Sequence, residues 1–199
     1  KPDRRRRSGG AGRAAGGAAC GAAHAGRHGA GIADTTICGT GIPRARRSMI
    51  RPLETRDLDT IAMIESLLFQ RPLSRGDLEQ LRARPASRGF VFEDAEAAVT
   101  SYALFMNAGA SADLVSLGTD PKAQRAGLAS RLLTSALQDL AGEGAEEVIL
   151  EVAVDNIAAL ALYKRSGFIE AARRAGYYRR SNGTVDAIVM RRNLAQGSA

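Results

Sequence analysis

Residues 120–133 read Asp-Pro-Lys-Ala-Gln-Arg-Ala-Gly-Leu-Ala-Ser-Arg-Leu-Leu, a small-residue turn leading from an apolar run at 114–117 into an amphipathic helix. Such a turn can cradle a phosphate. The first turn of a helix leaves backbone N–H groups without intrahelical partners and carries positive partial charge, so an anion settles there where no bulky side chain intervenes. Gly127 and Ala129 let the backbone approach the anion closely, and Arg125 adds a full charge. Alone, a Gln-Arg-x-Gly-x-Ala string is weak evidence, because glycine near a helix start also serves plain turns. The residues that follow give it weight.

Residues 49–199 contain no His and no Cys. A Ser-His-Asp triad, a cysteine nucleophile and a histidine-held metal are therefore closed to this part of the chain, leaving carboxylates, Tyr, Lys, Arg and backbone amides as working groups. One carboxylate, Glu151, interrupts the otherwise apolar Val148-Ile149-Leu150-Glu151-Val152. The Cys and His residues are Cys20, His24, His28 and Cys38. Their spacing does not match a short Cys-x2–4-Cys knuckle, and a Gly-rich context supplies no core to orient ligands, so neither a metal site nor a disulfide is expected of them.

The 199 residues suffice for one ordinary domain, but composition is uneven along them. Residues 1–48 hold 11 of the 22 Gly, 11 Ala, and ten Lys or Arg against two Asp. The remainder carries 18 basic and 19 acidic residues, so the whole-chain charge of +7 belongs to the first 48. No basic patch is implied for the domain, and its charge lends no support to a direct nucleic-acid role. A Gly/Ala/Arg composition without apolar periodicity buries too little surface to offset its chain entropy, so residues 1–48 are expected to be a disordered tail and 49–199 the domain. Met49 resembles a natural start, and an Arg-rich, acid-poor leader also resembles an organellar transit peptide; extension, fragment and leader all stay open. No stretch approaches the ~18 apolar residues of a membrane span and no signal-peptide core is present, so a cytoplasmic, membrane-free location is expected.

Positioning elements follow from periodicity. Residues 49–53 alternate as a first strand. Thr55 or Asp57 caps a helix running to about residue 69, with Leu58, Ile61, Ile64, Leu67 and Leu68 as its buried stripe. Ser74-x-x-Asp77 forms a capping box for a second helix, stopped by Pro85. Residues 89–93 and 97–108 predict a hairpin about an acidic turn at Asp94, and 112–119 a further strand. The helix after the cradle is expected from Gln124 to about Leu140. The run at 148–152 reads as a strand buried on both faces in a parallel part of a sheet. Asn156 caps a short helix over 158–165, and 168–178 with 186–192 predict a final antiparallel pair around Asn182-Gly183. The fold class is α/β, with a mixed sheet of about seven strands and helices on both faces.

The succession of strand, QRAGLA turn, helix, strand bearing Glu151, Asn156, and Ala161-Leu162-Tyr163-Lys164-Arg165-Ser166-Gly167-Phe168 resembles the GNAT acetyltransferases over about residues 49–194. The resemblance implies that the Q/R-x-x-G-x-G/A turn holds the pyrophosphate of acetyl-CoA and that an N-x-x-A-x-x-L-Y-x-x-x-G-F stretch carries a Tyr near the thioester. Within that family, Leu150-Glu151-Val152, Tyr177-Tyr178 and Asp186-Ala187-Ile188-Val189-Met190 are similar to the bacterial enzymes that acetylate the N-terminal alanine of ribosomal protein S18. Carried over residue by residue, the resemblance implies Glu151 as base and Tyr163 as acid. It implies coenzyme contacts at Leu117, Gly118, Thr119, Arg125, Ala126, Gly127, Leu128, Ala129, Ser130 and Asn156, with no metal. The chain departs from those enzymes at Leu73, where an aromatic is usual in Pro-x-Ser, at Gly118-Thr119, where Ala-Val is usual, and at Ala129, where the final Gly stands.

The reaction so implied is aminolysis of a thioester. A peptide α-amine has a reference pKa near 7.7–8.0 against about 10.4 for Lys, so a modest base suffices for it. An apolar strand would desolvate the Glu151 carboxylate and strengthen it as that base, acting directly or through water. Tyr163 would return a proton to the departing sulfur, and a strand amide near Leu117 would polarise the carbonyl.

Each residue also has a plainer reading. Glu151 can be a solvated strand residue, Tyr163 a core aromatic, Asn156 first a helix cap, and Tyr177 with Tyr178 hairpin packing. Arg173, Arg174, Arg179 and Arg180 read as a solvated face, or as a surface for RNA backbone if the partner is ribosomal. Two other functions remain open: a GNAT enzyme acting on a small amine or Lys side chain, and a non-enzymatic module whose Arg/Gly tail binds nucleic acid.

Overall fold

Residues 87–119 alternate in the face they bury and form three successive antiparallel strands, β2 (Ser87–Glu93), β3 (Val99–Asn107) and β4 (Ser111–Thr119), in a computed structural model that describes residues 48–180 and 183–195. Cys20, His24, His28, Cys38, the rest of residues 1–47 and Asn182 lie outside the described residues. Asp94 makes the β2–β3 turn by accepting the N–H groups of Glu96 and Ala98, each at 2.9 Å. Phe90, Phe92, Ala103 and Phe105 point to one side of the meander, and Val91, Tyr102 and Leu104 to the other. Both faces therefore need helical cover.

The second set is covered by α1 (Leu58–Leu68) and α2 (Arg75–Arg82) and the first by α3 (Leu128–Gly142), while α4 (Ile157–Arg165) adds Leu160 and Tyr163 to the same core as α3. The Ser74/Asp77 capping box opens α2 as its spacing predicts, with reciprocal side chain-to-backbone bonds. Along α3, Leu132, Leu133, Leu137 and Leu140 are buried, each contributing about 1.5–3 kcal/mol relative to exposure. That anchorage fixes the helix by its body and leaves its first turn out of the core.

The remaining strands are β1 (Met49–Pro52), β5 (Glu147–Ala153), β6 (Ile169–Arg180) and β7 (Gly183–Asn193). The seven strands lie in the order β1-β2-β3-β4-β5-β7-β6, and every neighbouring pair is antiparallel except β4 with β5. This is the mixed seven-stranded α/β sheet that the sequence predicts.

Three local expectations need correction. Leu67 is 59% exposed, and Glu65 is buried in its place. Nine residues separate Leu58 from Leu67, about two and a half turns at 3.6 residues per turn, which puts them on opposite sides of α1. The helix after the cradle begins at Leu128, not Gln124, because Arg125 (φ 64°) and Gly127 (φ 76°) adopt left-handed backbone that a right-handed helix excludes. Finally, β5 is not buried on both faces: Glu147, Ile149 and Glu151 are half-buried while their alternates are covered. Its parallel partner lies on one side only, and the other side pairs antiparallel with β7.

Candidate active site

Strands β4 and β5 pair over only four positions, from Ser111 opposite Glu147 to Leu114 opposite Leu150. Beyond Leu114 they part. The break coincides with a bulge in the β3–β4 ladder, where Leu104 pairs with Ser116 and Phe105 with Leu114, leaving Val115 as the extra residue. A bulge bends its strand, so the carboxyl end of β4 turns away from β5. The outcome is a crevice between the carboxyl ends of two parallel strands, a recurrent place for ligands in α/β sheets. Leu117, Gly118 and Thr119 line its β4 side, still paired with Ala103, Tyr102 and Ser101 of β3, and Glu151 is the first β5 residue past the last pair.

The cradle stands at the same end. Its loop is tied to β4 by the Gln124 side-chain amide, which donates to the Thr119 carbonyl at 3.2 Å. The first intrahelical bond of α3 runs from the Arg131 N–H to the Gly127 carbonyl, so the N–H groups of Leu128, Ala129 and Ser130 precede the helical ladder. A Cβ on Gly127 would meet nothing within 4 Å. Open backbone, unbonded helix-start amides and the nearby Arg125 fit a bound anion. Ala126 completes this loop, exposed between the two left-handed residues.

On the β5 side, the Glu151 carboxylate forms an ion pair with Arg174 at 2.6 Å, with side-chain exposures of 24% and 55%. The desolvated setting expected of an apolar strand is not found; the carboxylate is half-buried and charge-paired. Tyr178 donates its hydroxyl to the Glu151 carbonyl at 3.1 Å. The Glu151 carboxylate beside the Tyr177 hydroxyl, with some burial, raises that phenol above its ordinary range, while Arg174 opposes the shift. Tyr163 is buried in the core cluster of α3 and α4, edge-on to Phe168 at 5.8 Å between centroids. Burial first, and the neighbouring Tyr178 second, hold the Tyr163 phenol far above its usual range, so it keeps its proton. Asn156 caps α4 by accepting the Ala159 N–H at 3.2 Å.

The model of the acetyltransferase (GNAT) family matches residues 58–168, more than half of the chain. The chain belongs to the GNAT acetyltransferases. In sequence it is 42% identical over 79 residues to the [ribosomal protein bS18]-alanine N-acetyltransferase of Escherichia coli K12, covering 40% of this chain and 53% of that protein. It is also 37% identical over 103 residues to mycothiol acetyltransferase of Clavibacter michiganensis, covering 50% of this chain and 34% of that protein. The chain thus spans about half or less of the length of these relatives. Among solved structures it resembles the E. coli ribosomal-protein-S18-alanine N-acetyltransferase with a TM-score of 0.70 and 30% identity, over 76% of this chain and 96% of the other.

In this GNAT domain the Gly118 departure has a structural cause. A Cβ there would lie 2.6 Å from Cε1 of Tyr102, its partner across the ladder. The Tyr102 hydroxyl in turn donates to the buried carboxylate of Glu65 at 2.5 Å, as does Ser116 at 2.6 Å, and the Leu73 N–H reaches its other oxygen at 3.1 Å. Glu65 thereby ties the α1–α2 connection to β4 just before the crevice. Sequence reasoning missed it. The signal was present, since residues 58, 61, 65 and 68 follow helical spacing as well as the stripe that was expected.

Of the arginines expected as a solvated face, Arg173, Arg174 and Arg179 are exposed and Arg180 is half-buried; within that face Arg173 pairs with Glu170, Arg174 with Glu151 and Arg180 with Asp155. Among the described residues, no helix is long and apolar enough to cross a membrane.

Proposed function

We propose that the chain transfers the acetyl group of acetyl-CoA to the N-terminal α-amine of a protein, of the kind represented by the alanine terminus of ribosomal protein S18, by direct transfer in a ternary complex. The observation that carries this reading is the parting of β4 and β5, with the anion cradle on one side and Glu151 on the other. The pyrophosphate is assigned to the backbone of residues 125–130 and Arg125, and the thioester to the crevice lined by Leu117, Gly118 and Thr119. Asn156 caps the helix that carries Tyr163.

The amine lone pair adds to the acetyl carbonyl, whose oxygen gains negative charge and is met by β4 backbone amides. Glu151 takes the proton that the nitrogen loses, the C–S bond breaks, and Tyr163 supplies the proton that the sulfur gains. A phenol that stays protonated suits the last step. The choice of an α-amine over a Lys amine is supported by the S18-alanine relative and by Tyr177 and Tyr178 standing beside Glu151.

Incubation with acetyl-CoA and a peptide bearing the S18 amino terminus, followed by intact-mass measurement, tests the acceptor. Acetylation at the terminal nitrogen is expected, and Glu151→Gln should abolish most of it. The mycothiol acetyltransferase relative favours a second reading, a small-molecule amine as acceptor. Turnover of small amines without peptide acetylation would replace the first reading with the second.

A further inference from the structure

We infer that Arg174 is a positioning residue for acetyl transfer, its guanidinium on Glu151 keeping the ammonium form of the acceptor away from that carboxylate. The inference rests on the proposed role of Glu151 as base. It begins with a problem of strand geometry: residues three apart on a regular strand point to opposite faces, yet Arg174 and Tyr177 both reach the Glu151 carboxylate.

A bulge resolves it. Arg174 pairs with Ala187 and Tyr178 with Val185, so Ala175, Gly176 and Tyr177 all oppose the single residue Asp186. Asp186 holds the bulge by accepting the Gly176 N–H at 2.8 Å, and Gly176 supplies the left-handed backbone, φ 60°, that the kink requires. The guanidinium also sits over the Tyr177 ring, 5.5 Å from its centroid. Side chain, ring and bulge thus converge on one carboxylate.

Stability does not explain the arrangement. An ion pair whose arginine is 55% exposed adds little to folding, whereas an irregular edge strand sacrifices ladder bonds to form it. The chemistry does benefit. A cation at this point disfavours an ammonium beside that carboxylate. The effect assists attack by a neutral amine, and it favours an α-amine, a fair fraction of which is neutral near pH 7, over a Lys side chain. The groups facing Glu151 are Arg174, Tyr177 and Tyr178 from β6; from β7 its ladder partner is the uncharged Val189.

The test is the pH dependence of kcat, measured for the full chain and its Arg174→Met and Arg174→Lys variants. Losing the cation stabilises the protonated form of the bound amine, so the acid limb moves to higher pH. For Arg174→Met a shift of about one pH unit is expected, equivalent to about a tenfold loss on the limb, with no loss on the plateau and an unchanged KM for acetyl-CoA. Arg174→Lys should keep the limb near its original position. A limb at the same pH in the original chain and Arg174→Met overturns the inference, as does an equal loss at every pH. If Glu151→Gln retains full activity, the reading of Glu151 as base fails instead. Should only small amines be turned over, the same comparison is made with them.

Discussion

The ring of Tyr102 occupies the space that a side chain at residue 118 would need: a Cβ on Gly118 would lie 2.6 Å from Cε1 and 2.7 Å from the hydroxyl oxygen. Tyr102 is fully buried and its hydroxyl is fixed on Glu65, so the ring has no cheap escape. Gly118→Ala should therefore push β4 at the wall of the crevice. A cost of about 1–3 kcal/mol is expected, typical of overpacking, together with a raised KM for acetyl-CoA. Thermal unfolding and steady-state kinetics measure the two effects. A neutral Tm would mean that Tyr102 moves freely, contrary to the packing.

Tyr163→Phe isolates the proposed proton donor. The hydroxyl is the only group removed, and the ring keeps its edge-on contact with Phe168. A general acid contributes typically about 10²–10⁴-fold, so kcat should fall within that range while Tm and the KM for acetyl-CoA hold. Burial keeps this phenol protonated well beyond neutral pH, so the basic limb of the profile below pH 9 should not belong to Tyr163. If Tyr163→Phe keeps its full kcat, the tyrosine is only part of the core.

The order of elements and the sheet were legible because apolar periodicity is set by which faces are covered, as with Leu132, Leu133, Leu137 and Leu140 on α3. The small-residue turn before α3 was legible from its local composition, though the left-handed backbone at Arg125 and Gly127 that delays the helix to Leu128 was not. Less could be read where long-range geometry decides: the bulge at Val115 that opens the crevice depends on pairing with β3, and the Arg174–Glu151 pair depends on a bulge held by Asp186. Neither leaves a mark in periodicity. Glu65 was missed for a different reason, since a carboxylate on a helix is assigned to solvent unless its donors, here Tyr102, Ser116 and the Leu73 N–H, can be foreseen.

Arg51 is held between two buried carboxylates, Asp57 at 2.7 Å and Glu93 at 2.7 Å. Burial pushes the Asp57 carboxyl up, but hydrogen bonds from Arg51 and the Glu54 N–H, with the arginine charge, together hold it below its ordinary value. A depressed folded value means stability present above the unfolded pKa of about 3.9 and lost as pH falls through the folded value. Arg51→Met leaves both carboxylates without their cation, at an expected cost of about 3–5 kcal/mol near pH 7. Near pH 3 the Asp57 carboxyl of the variant, no longer held down by Arg51, can protonate, so the difference in urea midpoint between the two proteins should shrink. A difference that is constant with pH would show that the pair acts through packing alone.

The cradle loop separates stability from binding by sign. Arg125 is a non-glycine residue at φ 64°, a conformation that costs an L residue roughly 1–2 kcal/mol, and it adjoins the Gly127 turn that presents the α3 amides. Arg125→Gly relieves that strain but also frees the unfolded chain, so the coenzyme-free protein should change by no more than about 1 kcal/mol. Its KM for acetyl-CoA should nonetheless rise severalfold if Arg125 faces the pyrophosphate as proposed, and the increase should diminish at high salt as screening weakens the original contact. Gly127→Ala tests the backbone instead. Its Cβ meets no protein atom within 4 Å, so its cost in the free protein is conformational, roughly 1–2 kcal/mol. Any weakening of acetyl-CoA beyond that must come from the coenzyme pressing against the added methyl. Unfolding of the free protein, compared with its stabilisation by saturating acetyl-CoA, separates the two contributions. Equal losses with and without coenzyme would remove Gly127 from the binding surface.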